Sequence, residues 1–76
     1  GVGIAILNTS DNAIVRNNTV TDSTTNGVRV DNSVNVDVIS NNVNNSGSNG
    51  ILATSSNDID IRSNTIDTAG IDGIAV

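Results

Sequence analysis

The 76-residue sequence contains no cysteine, histidine, lysine, glutamate, glutamine, proline, methionine or aromatic residue. Without cysteine it has no disulfide, although chains below roughly 80 residues usually need a disulfide, a metal or assembly to be stable. Without glutamate, lysine and glutamine it lacks the polar residues that favour helices. Without aromatic residues it offers no ring on which a sugar could stack. What remains is mainly Val, Ile, Thr, Asn, Ser, Asp and Gly, a composition typical of strands and turns.

Charge and hydropathy argue against two classes of partner. The formal net charge is −5, from eight acidic and three basic residues. Because binding to nucleic acid requires clustered Lys and Arg that neutralise phosphates, we expect no nucleic-acid partner. No apolar run approaches the roughly 18 residues of a transmembrane helix, so we expect no membrane span. The apolar fraction of 36% is low for a globular domain, but it suits a thin repeat protein with a narrow core.

One interval of 23 residues recurs along the chain. Five columns of similar residues keep it: Asn18, Asn41 and Asn64; Ser10, Ser33 and Ser56; Val15, Val38 and Ile61; Val20, Val43 and Ile66; and Gly27, Gly50 and Gly73. A fixed repeat of this length indicates a solenoid. We therefore predict one β-helix segment over residues 1–76, a fragment of a longer solenoid, with coils at 3–26, 27–49 and 50–72 and a fourth opening at 73–76. The first coil is one residue longer, which indicates an insertion around Leu7-Asn8-Thr9 or a shift in register.

Apolar and polar residues alternate in three short runs within each coil. In the second coil, Val28 and Val30 frame the first run, Val36 and Val38 the second, and Val43 lies in the third. Alternation with a period of two predicts a short strand with one buried face. Parallel strands stacked about 4.8 Å apart prefer right-handed crossovers. The prediction is an all-β fold, a right-handed parallel β-helix of three coils plus the start of a fourth.

The asparagine column is interpreted as structural. Asn tolerates the left-handed backbone conformation of a tight turn, so the column is expected at a corner between strands. If the amides point inward, each can hydrogen-bond to the Asn of the next coil and form a ladder along the axis. The predicted ladder residues are Asn18, Asn41 and Asn64, with a second inward stack of Ser10, Ser33 and Ser56.

A leucine-rich repeat is the competing fold. The segment from Ile59 through Asn64 to Ile66 fits the strand-and-asparagine core of such repeats, and 23 residues lie within their usual length. However, the chain has only two leucines, Leu7 and Leu52. The half of each repeat that should be helical instead carries strand patterns such as Gly27-Val28-Arg29-Val30. The pattern favours the β-helix.

Two segments, Asn26-Gly27-Val28-Arg29-Val30 and 56–66, resemble repeats of right-handed parallel β-helices in the pectate-lyase-like superfamily. That superfamily includes mannuronan epimerases, alginate lyases and NosD-type periplasmic proteins. The resemblance covers nearly the whole chain and implies an extracellular, cell-surface or periplasmic protein that binds acidic or neutral polysaccharide along a groove on its outer face. Lyases and epimerases of this kind draw their acid and base from His, Tyr, Lys or Arg. Since three Arg are the only such residues present, we expect no catalytic residue in this chain.

Outward-facing carboxylates are the candidates for a metal site. Asp37 and Asp60 are expected to stack on the outer face of the second strand, with Ile14 completing their column. Asp58 stands in the neighbouring column with Asn12 and Asn35. These oxygens could bind Ca²⁺, or the carboxylates could act as the paired acids of a hydrolase. The alternative is a solvated face without a ligand; no other cofactor is expected.

Two arginines are the candidates for contact with a glycan. Arg29 should project from the first strand and Arg62 from the second, and either could bind a uronate carboxylate. A lone surface Arg without a ligand is the alternative.

Thr19-Val20-Thr21 resembles the threonine rank of ice-binding solenoids, but Asn42 and Asn44 follow in its columns.

Three functions from different classes follow from these patterns. The first is a non-catalytic scaffold segment of a secreted or cell-surface protein associated with polysaccharide. The second is a filament subunit that stacks end to end, because both ends of the chain are apolar strand openings without a cap. The third is part of a carbohydrate-active lyase or epimerase whose catalytic residues lie elsewhere. The expected partners are other β-helix coils, of the same or a neighbouring chain, and polysaccharide.

Overall fold

The computed structural model describes all 76 residues and consists of strands and turns without a helix. Ten strands follow in order: β1 (Ile4–Leu7), β2 (Ile14–Arg16), β3 (Thr19–Thr21), β4 (Val28–Asp31), β5 (Asp37–Ile39), β6 (Asn42–Ser46), β7 (Ile51–Thr54), β8 (Asp60–Arg62), β9 (Thr65–Ala69) and β10 (Ile74–Ala75). They form three parallel sheets, ordered β1-β4-β7-β10, β2-β5-β8 and β3-β6-β9. Every third strand therefore joins the same sheet, which confirms the predicted parallel β-helix with three strands per coil.

The interior is a stack of apolar side chains from all three sheets. Val15 lies opposite Val38, and Val38 lies opposite Ile61, so like residues pack on like residues along the axis. The buried apolar residues are Val15, Val20, Val28, Val30, Val36, Val38, Val43, Ile51 and Ala53. Most of them belong to the second coil, because that coil is covered on both sides by its neighbours.

The extra residue of the first coil lies at the corner between β1 and β2. Asn8 and Thr9 both have positive φ, 47° and 68°, whereas the second coil has only Asn32 (φ 52°) at this corner. The third coil likewise has only Ser55 (φ 48°). Two successive left-handed residues absorb the additional length, so β2 returns to the common register. The predicted insertion is thereby confirmed.

Left-handed residues recur in columns from coil to coil, but they are not the ladder asparagines. Beyond the corner after the first strand of each coil, the columns with positive φ are Asn12, Asn35 and Asp58; Asn17, Ser40 and Ser63; and Asp22, Asn45 and Thr68, of which Asn45 and Thr68 lie within β6 and β9. The expectation that Asn18, Asn41 and Asn64 adopt this conformation was wrong, because the residue before each of them does. The left-handed residue bends the chain out of one strand, and the following side chain is thereby aimed at the interior.

The competing fold can be decided from the order of the strands. The half of each repeat that a leucine-rich repeat would use for a helix holds β1, β4 and β7. The leucine-rich repeat is therefore not the fold of this chain. No helix of the chain is long and apolar enough to cross a membrane.

Candidate functional site

The asparagine column forms a continuous hydrogen-bonded ladder inside the corner between the second and third sheets. The backbone N–H and the side-chain Nδ2 of Asn18 both donate to Oδ1 of Asn41, at 3.0 and 3.2 Å. Asn41 repeats the pattern with Oδ1 of Asn64, at 2.8 and 3.0 Å. Nδ2 of Asn41 also donates to the carbonyl oxygen of Val15 at 2.9 Å. In the same way, Nδ2 of Asn64 donates to the carbonyl oxygen of Val38 at 2.8 Å. Each amide therefore joins two coils.

The serine column forms a second ladder of a simpler kind. The backbone N–H of Ser10 donates to Oγ of Ser33 at 3.0 Å, and that of Ser33 donates to Oγ of Ser56 at 3.1 Å. Each hydroxyl in turn donates to a carbonyl within its own coil, as Ser33 does to Asp31 at 3.2 Å. The hydroxyl thus satisfies one backbone donor per coil at this corner.

A third ladder was missed by the sequence reasoning. The backbone N–H of Asn49 donates to Oδ1 of Asn26 at 3.2 Å, and that of Asp72 donates to Oδ1 of Asn49 at 3.2 Å. Its direction is opposite to that of the other two ladders, because here the later coil donates to the earlier one. The signal was present in the 23-residue spacing of Asn26, Asn49 and Asp72, each of which is followed by a glycine.

Those glycines serve close packing and not a left-handed turn, since no glycine has positive φ. A Cβ placed on Gly27 would lie 2.7 Å from the carbonyl oxygen of Gly50 and would overlap the side chain of Val43. Gly50 is restricted in the same way by Gly73 and Ile66. Here the backbone of one coil lies too close to the next for any side chain.

Arg29 lies on the outer face of the first sheet, opposite Ala5 on one side and Leu52 on the other. Its Nη2 lies 3.5 Å from Oδ2 of Asp31 on the same strand. Oδ1 of Asp31 accepts a hydrogen bond from Thr54 of the next coil at 3.0 Å. Nε of Arg29 is buried and has no hydrogen-bond partner. The guanidinium is therefore partly committed to Asp31 before any ligand arrives.

The outer face of the second sheet carries the predicted column of Ile14, Asp37 and Asp60 in direct register. Nε of Arg62 lies 3.3 Å from Oδ2 of Asp60, with side chains 65% and 47% exposed. An ion pair this open to water contributes little stability. Arg16 makes no ion pair and so does not neutralise Asp37.

Asp58 is not brought into a cluster with Asp37 and Asp60. It is an exposed corner residue with φ 56°, whereas the other two are strand residues. Nowhere in the chain do three acidic side chains lie close enough together to hold a metal ion. The surface has no pocket.

The outer face of the third sheet is polar but irregular. Thr19 lies opposite Asn42, and Asn42 opposite Thr65. The neighbouring column holds Thr21, Asn44 and Asp67. No rank of threonines extends across the coils.

Comparison with known protein families agrees with this geometry. The family model described as the right handed beta helix region matches residues 1–76, the whole chain. The chain belongs to this family. No curated protein and no solved structure matched the chain. Membership in the right-handed beta helix family accounts for the stacked coils, and the same fold carries many unrelated functions.

Within this beta helix, the predicted site residues divide into two groups. The ladder residues lie inside the coils and connect them through hydrogen bonds. The arginine and aspartate candidates lie outside on two different faces, with Arg29 on the first sheet and Arg62 on the second. No single surface therefore contains both arginines side by side.

Proposed function

We propose that this chain is a non-catalytic structural segment of a polysaccharide-associated protein at the cell surface or outside the cell. The observation that carries the proposal is the network of hydrogen bonds between coils. Asn41 alone makes or accepts such bonds with Asn18, Val15 and Asn64. The asparagine side chains of this ladder are thus committed to stacking one coil on the next, which is the task of a scaffold.

The outward side chains support the same role. Outward positions recur from coil to coil at the spacing of parallel strands, about 4.8 Å, although the side chains at those positions differ. A polymer that lies along such a face would meet one outward side chain per coil at a constant rise. Arg29 and Arg62 are the cationic groups that would contact an acidic sugar, each in competition with its own aspartate.

Affinity electrophoresis of the purified chain tests this proposal. The gel contains a polyuronate in one series and a neutral glucan in another, and samples are also assayed for the unsaturated products of a lyase. We expect retardation without turnover, and less retardation in polyuronate for the double variant Arg29→Ala/Arg62→Ala than for the control Arg16→Ala. Turnover by the chain would contradict a non-catalytic role. Equal mobility with and without every polysaccharide would remove the polysaccharide association.

A second candidate function is self-assembly into a filament. It is favoured by β1 and β10, which are the two edge strands of the same four-stranded parallel sheet. An edge strand offers unpaired N–H and C=O groups, so β10 of one copy can pair with β1 of the next in the same direction. Ile74 in β10 is 47% exposed and would be covered by that contact.

Light scattering and electron micrographs of one sample test the assembly. Unbranched fibres with a repeat near 4.8 Å, absent in Ile74→Asp and retained in Ile14→Asp, would support it. A monodisperse monomer at high concentration would eliminate it.

A further inference from the structure

The third ladder contains two Asn-Gly pairs, Asn26-Gly27 and Asn49-Gly50, and both are held by the coil that follows. Oδ1 of Asn26 accepts from the N–H of Asn49 at 3.2 Å, and the N–H of Gly27 donates to the carbonyl of Asn49 at 3.1 Å. One residue therefore binds the side chain of Asn26 and the backbone nitrogen of Gly27 together.

The second pair repeats this arrangement. The N–H of Asp72 donates to Oδ1 of Asn49 at 3.2 Å, and the N–H of Gly50 donates to the carbonyl of Asp72 at 3.0 Å. The pairs differ in exposure, because Asn26 is buried, Asn49 is half-buried and Asp72 is exposed. We call each such arrangement a clamp. Residue 49 clamps Asn26-Gly27 and residue 72 clamps Asn49-Gly50, in each case through its backbone N–H and C=O.

Packing and hydrogen bonding account for the two residue types. Glycine is required at position 27 because a Cβ there would collide with Val43 and with the backbone of Gly50. The asparagine before it supplies an acceptor for the N–H of the next coil, a role that Asp can also fill. The result is Asn-Gly at two positions, a pair that is chemically unstable in flexible peptides because glycine leaves its nitrogen unhindered.

The reaction in question is deamidation. The glycine nitrogen gives up its proton to a base and attacks Cγ of the asparagine, forming an N–Cγ bond. Nδ2 takes up the proton from the protonated base, the Cγ–Nδ2 bond breaks, and ammonia leaves. Water then opens the resulting five-membered imide. Cleavage at the new Cγ–N bond yields aspartate, and cleavage at the original peptide bond yields isoaspartate with one additional carbon in the backbone.

We propose that Asn26 and Asn49 are deamidation sites that the clamps protect, and that Asn49 reacts first. Both reacting groups are held in hydrogen bonds to the next coil, so the attack requires that the coil lift away. That opening is less costly above Asn49, where the clamping Asp72 is exposed, than above Asn26, where the clamping Asn49 is half-buried.

The two products have different consequences for the fold. Aspartate retains a carboxylate oxygen that accepts the same hydrogen bond, and Asp72 already occupies the equivalent position. Isoaspartate lengthens the backbone directly before β7, which displaces the alternation of inward and outward side chains in that strand. Once isoaspartate has formed at position 49, the stack thus remains weakened even after the coil above it closes again.

Peptide mapping by mass spectrometry tests the proposal, with isoaspartate measured separately. The folded protein is incubated beside the same protein in denaturant and beside short peptides spanning 22–31 and 45–54. We expect Asn26 to react at least about tenfold more slowly in the folded protein, the factor given by an opening free energy of about 1.4 kcal/mol. The deamidation rate of Asn49 in the folded protein should lie between that of Asn26 and that of the peptides. Equal rates in folded protein and peptides, with strand structure verified by circular dichroism, would overturn the protection.

A pair of variants at an exposed position tests the clamp directly. Asp72→Pro removes the N–H that donates to Asn49, and Asp72→Ser retains it. We expect Asp72→Pro to accelerate deamidation of Asn49 by about two- to tenfold, the range that corresponds to one net hydrogen bond. Asn26 serves as an internal reference, because its rate stays constant unless the whole chain unfolds. Equal deamidation rates of Asn49 in the two variants would show that the N–H of residue 72 does not protect Asn49, and would overturn the proposal.

Discussion

Oδ1 of Asn64 accepts two hydrogen bonds from Asn41, one from the backbone N–H at 2.8 Å and one from Nδ2 at 3.0 Å. The same asparagine side chain thus satisfies a backbone donor and a side-chain donor of the preceding coil. Asn41 is 2% exposed, so water cannot replace these bonds. Substitution at this rung is therefore the most direct measure of what the ladder contributes to stability.

Asn41→Leu should destabilise the chain strongly. It removes the acceptor for two donors of Asn18 and the donor for the carbonyl of Val15, and each buried group left unsatisfied costs about 1–3 kcal/mol. Asn42→Leu is the matched control, because Asn42 is adjacent in sequence and exposed. Urea unfolding followed by far-UV circular dichroism measures the difference, since the chain has no aromatic residue for fluorescence. Equal losses would mean that the ladder is energetically unimportant.

Asn45→Ala is a less suitable control for this comparison. Asn45 has φ 57° and donates from Nδ2 to Asp22 at 2.8 Å. Alanine there would lose the hydrogen bond and would also be strained in the left-handed conformation. Its cost would therefore combine two effects that have nothing to do with the ladder.

The sequence predicted the parts of this fold that depend on periodicity. A 23-residue interval places Asn18, Asn41 and Asn64 in one column, and period-two alternation identifies which side chains point inward. The register of Ile14, Asp37 and Asp60, and the insertion near Thr9, follow from the same counting.

Periodicity does not predict the backbone conformation of a residue or the direction of a hydrogen bond. It gave no reason to place the left-handed residue at Ser40 instead of Asn41. It also could not show that Asn26 accepts from the next coil while Asn18 donates to it. Ion pairs such as Arg62 with Asp60 depend on side-chain rotamers, which the spacing leaves open. The outer faces were for this reason harder to predict than the interior.

Gly27→Ala should destabilise the chain through a steric clash. The added Cβ would lie 2.7 Å from the carbonyl oxygen of Gly50 and 3.0 Å from Oγ of Ser46. Overpacking of this kind costs about 1–3 kcal/mol. Gly73→Ala is the matched control at the equivalent position, because its Cβ would meet only Ile66 at 3.9 Å. The midpoint of urea unfolding should fall for Gly27→Ala and remain nearly unchanged for Gly73→Ala; a similar fall in both would show that steric crowding is not the cause.

Thr68→Asn should stabilise the chain. Thr68 has φ 62°, and a β-branched residue in the left-handed conformation is strained. The equivalent residues are Asp22 and Asn45, whose side chains tolerate that conformation. Relief of the strain should add about 1 kcal/mol to the free energy of unfolding. Thr65→Asn, an exposed strand position without positive φ, should give no gain, and a gain of equal size there would contradict the explanation.

Asp37→Asn should also stabilise the chain, in a manner that depends on salt. Asp37 lies directly opposite Asp60, and like charges in this position destabilise a sheet by about 0.2–1 kcal/mol. Asp11→Asn removes the same charge from a residue outside this column and keeps an Oδ1 that can accept from the N–H of Val34, so it is the matched control. The gain of Asp37→Asn over Asp11→Asn should shrink at about 1 M salt, where the screening length falls to roughly 3 Å.

Added Ca²⁺ distinguishes a repulsive column from a metal site. If Asp37 and Asp60 bound the ion together, Ca²⁺ would raise the Tm of the wild-type protein, and Asp37→Asn would lose that increase. Repulsion without a site predicts the opposite order, with the variant more stable than the wild type at every Ca²⁺ concentration. We expect the second result, because Asp60 already pairs with Arg62 and a third carboxylate is absent from this face. A Ca²⁺-dependent increase confined to proteins that retain Asp37 would overturn it.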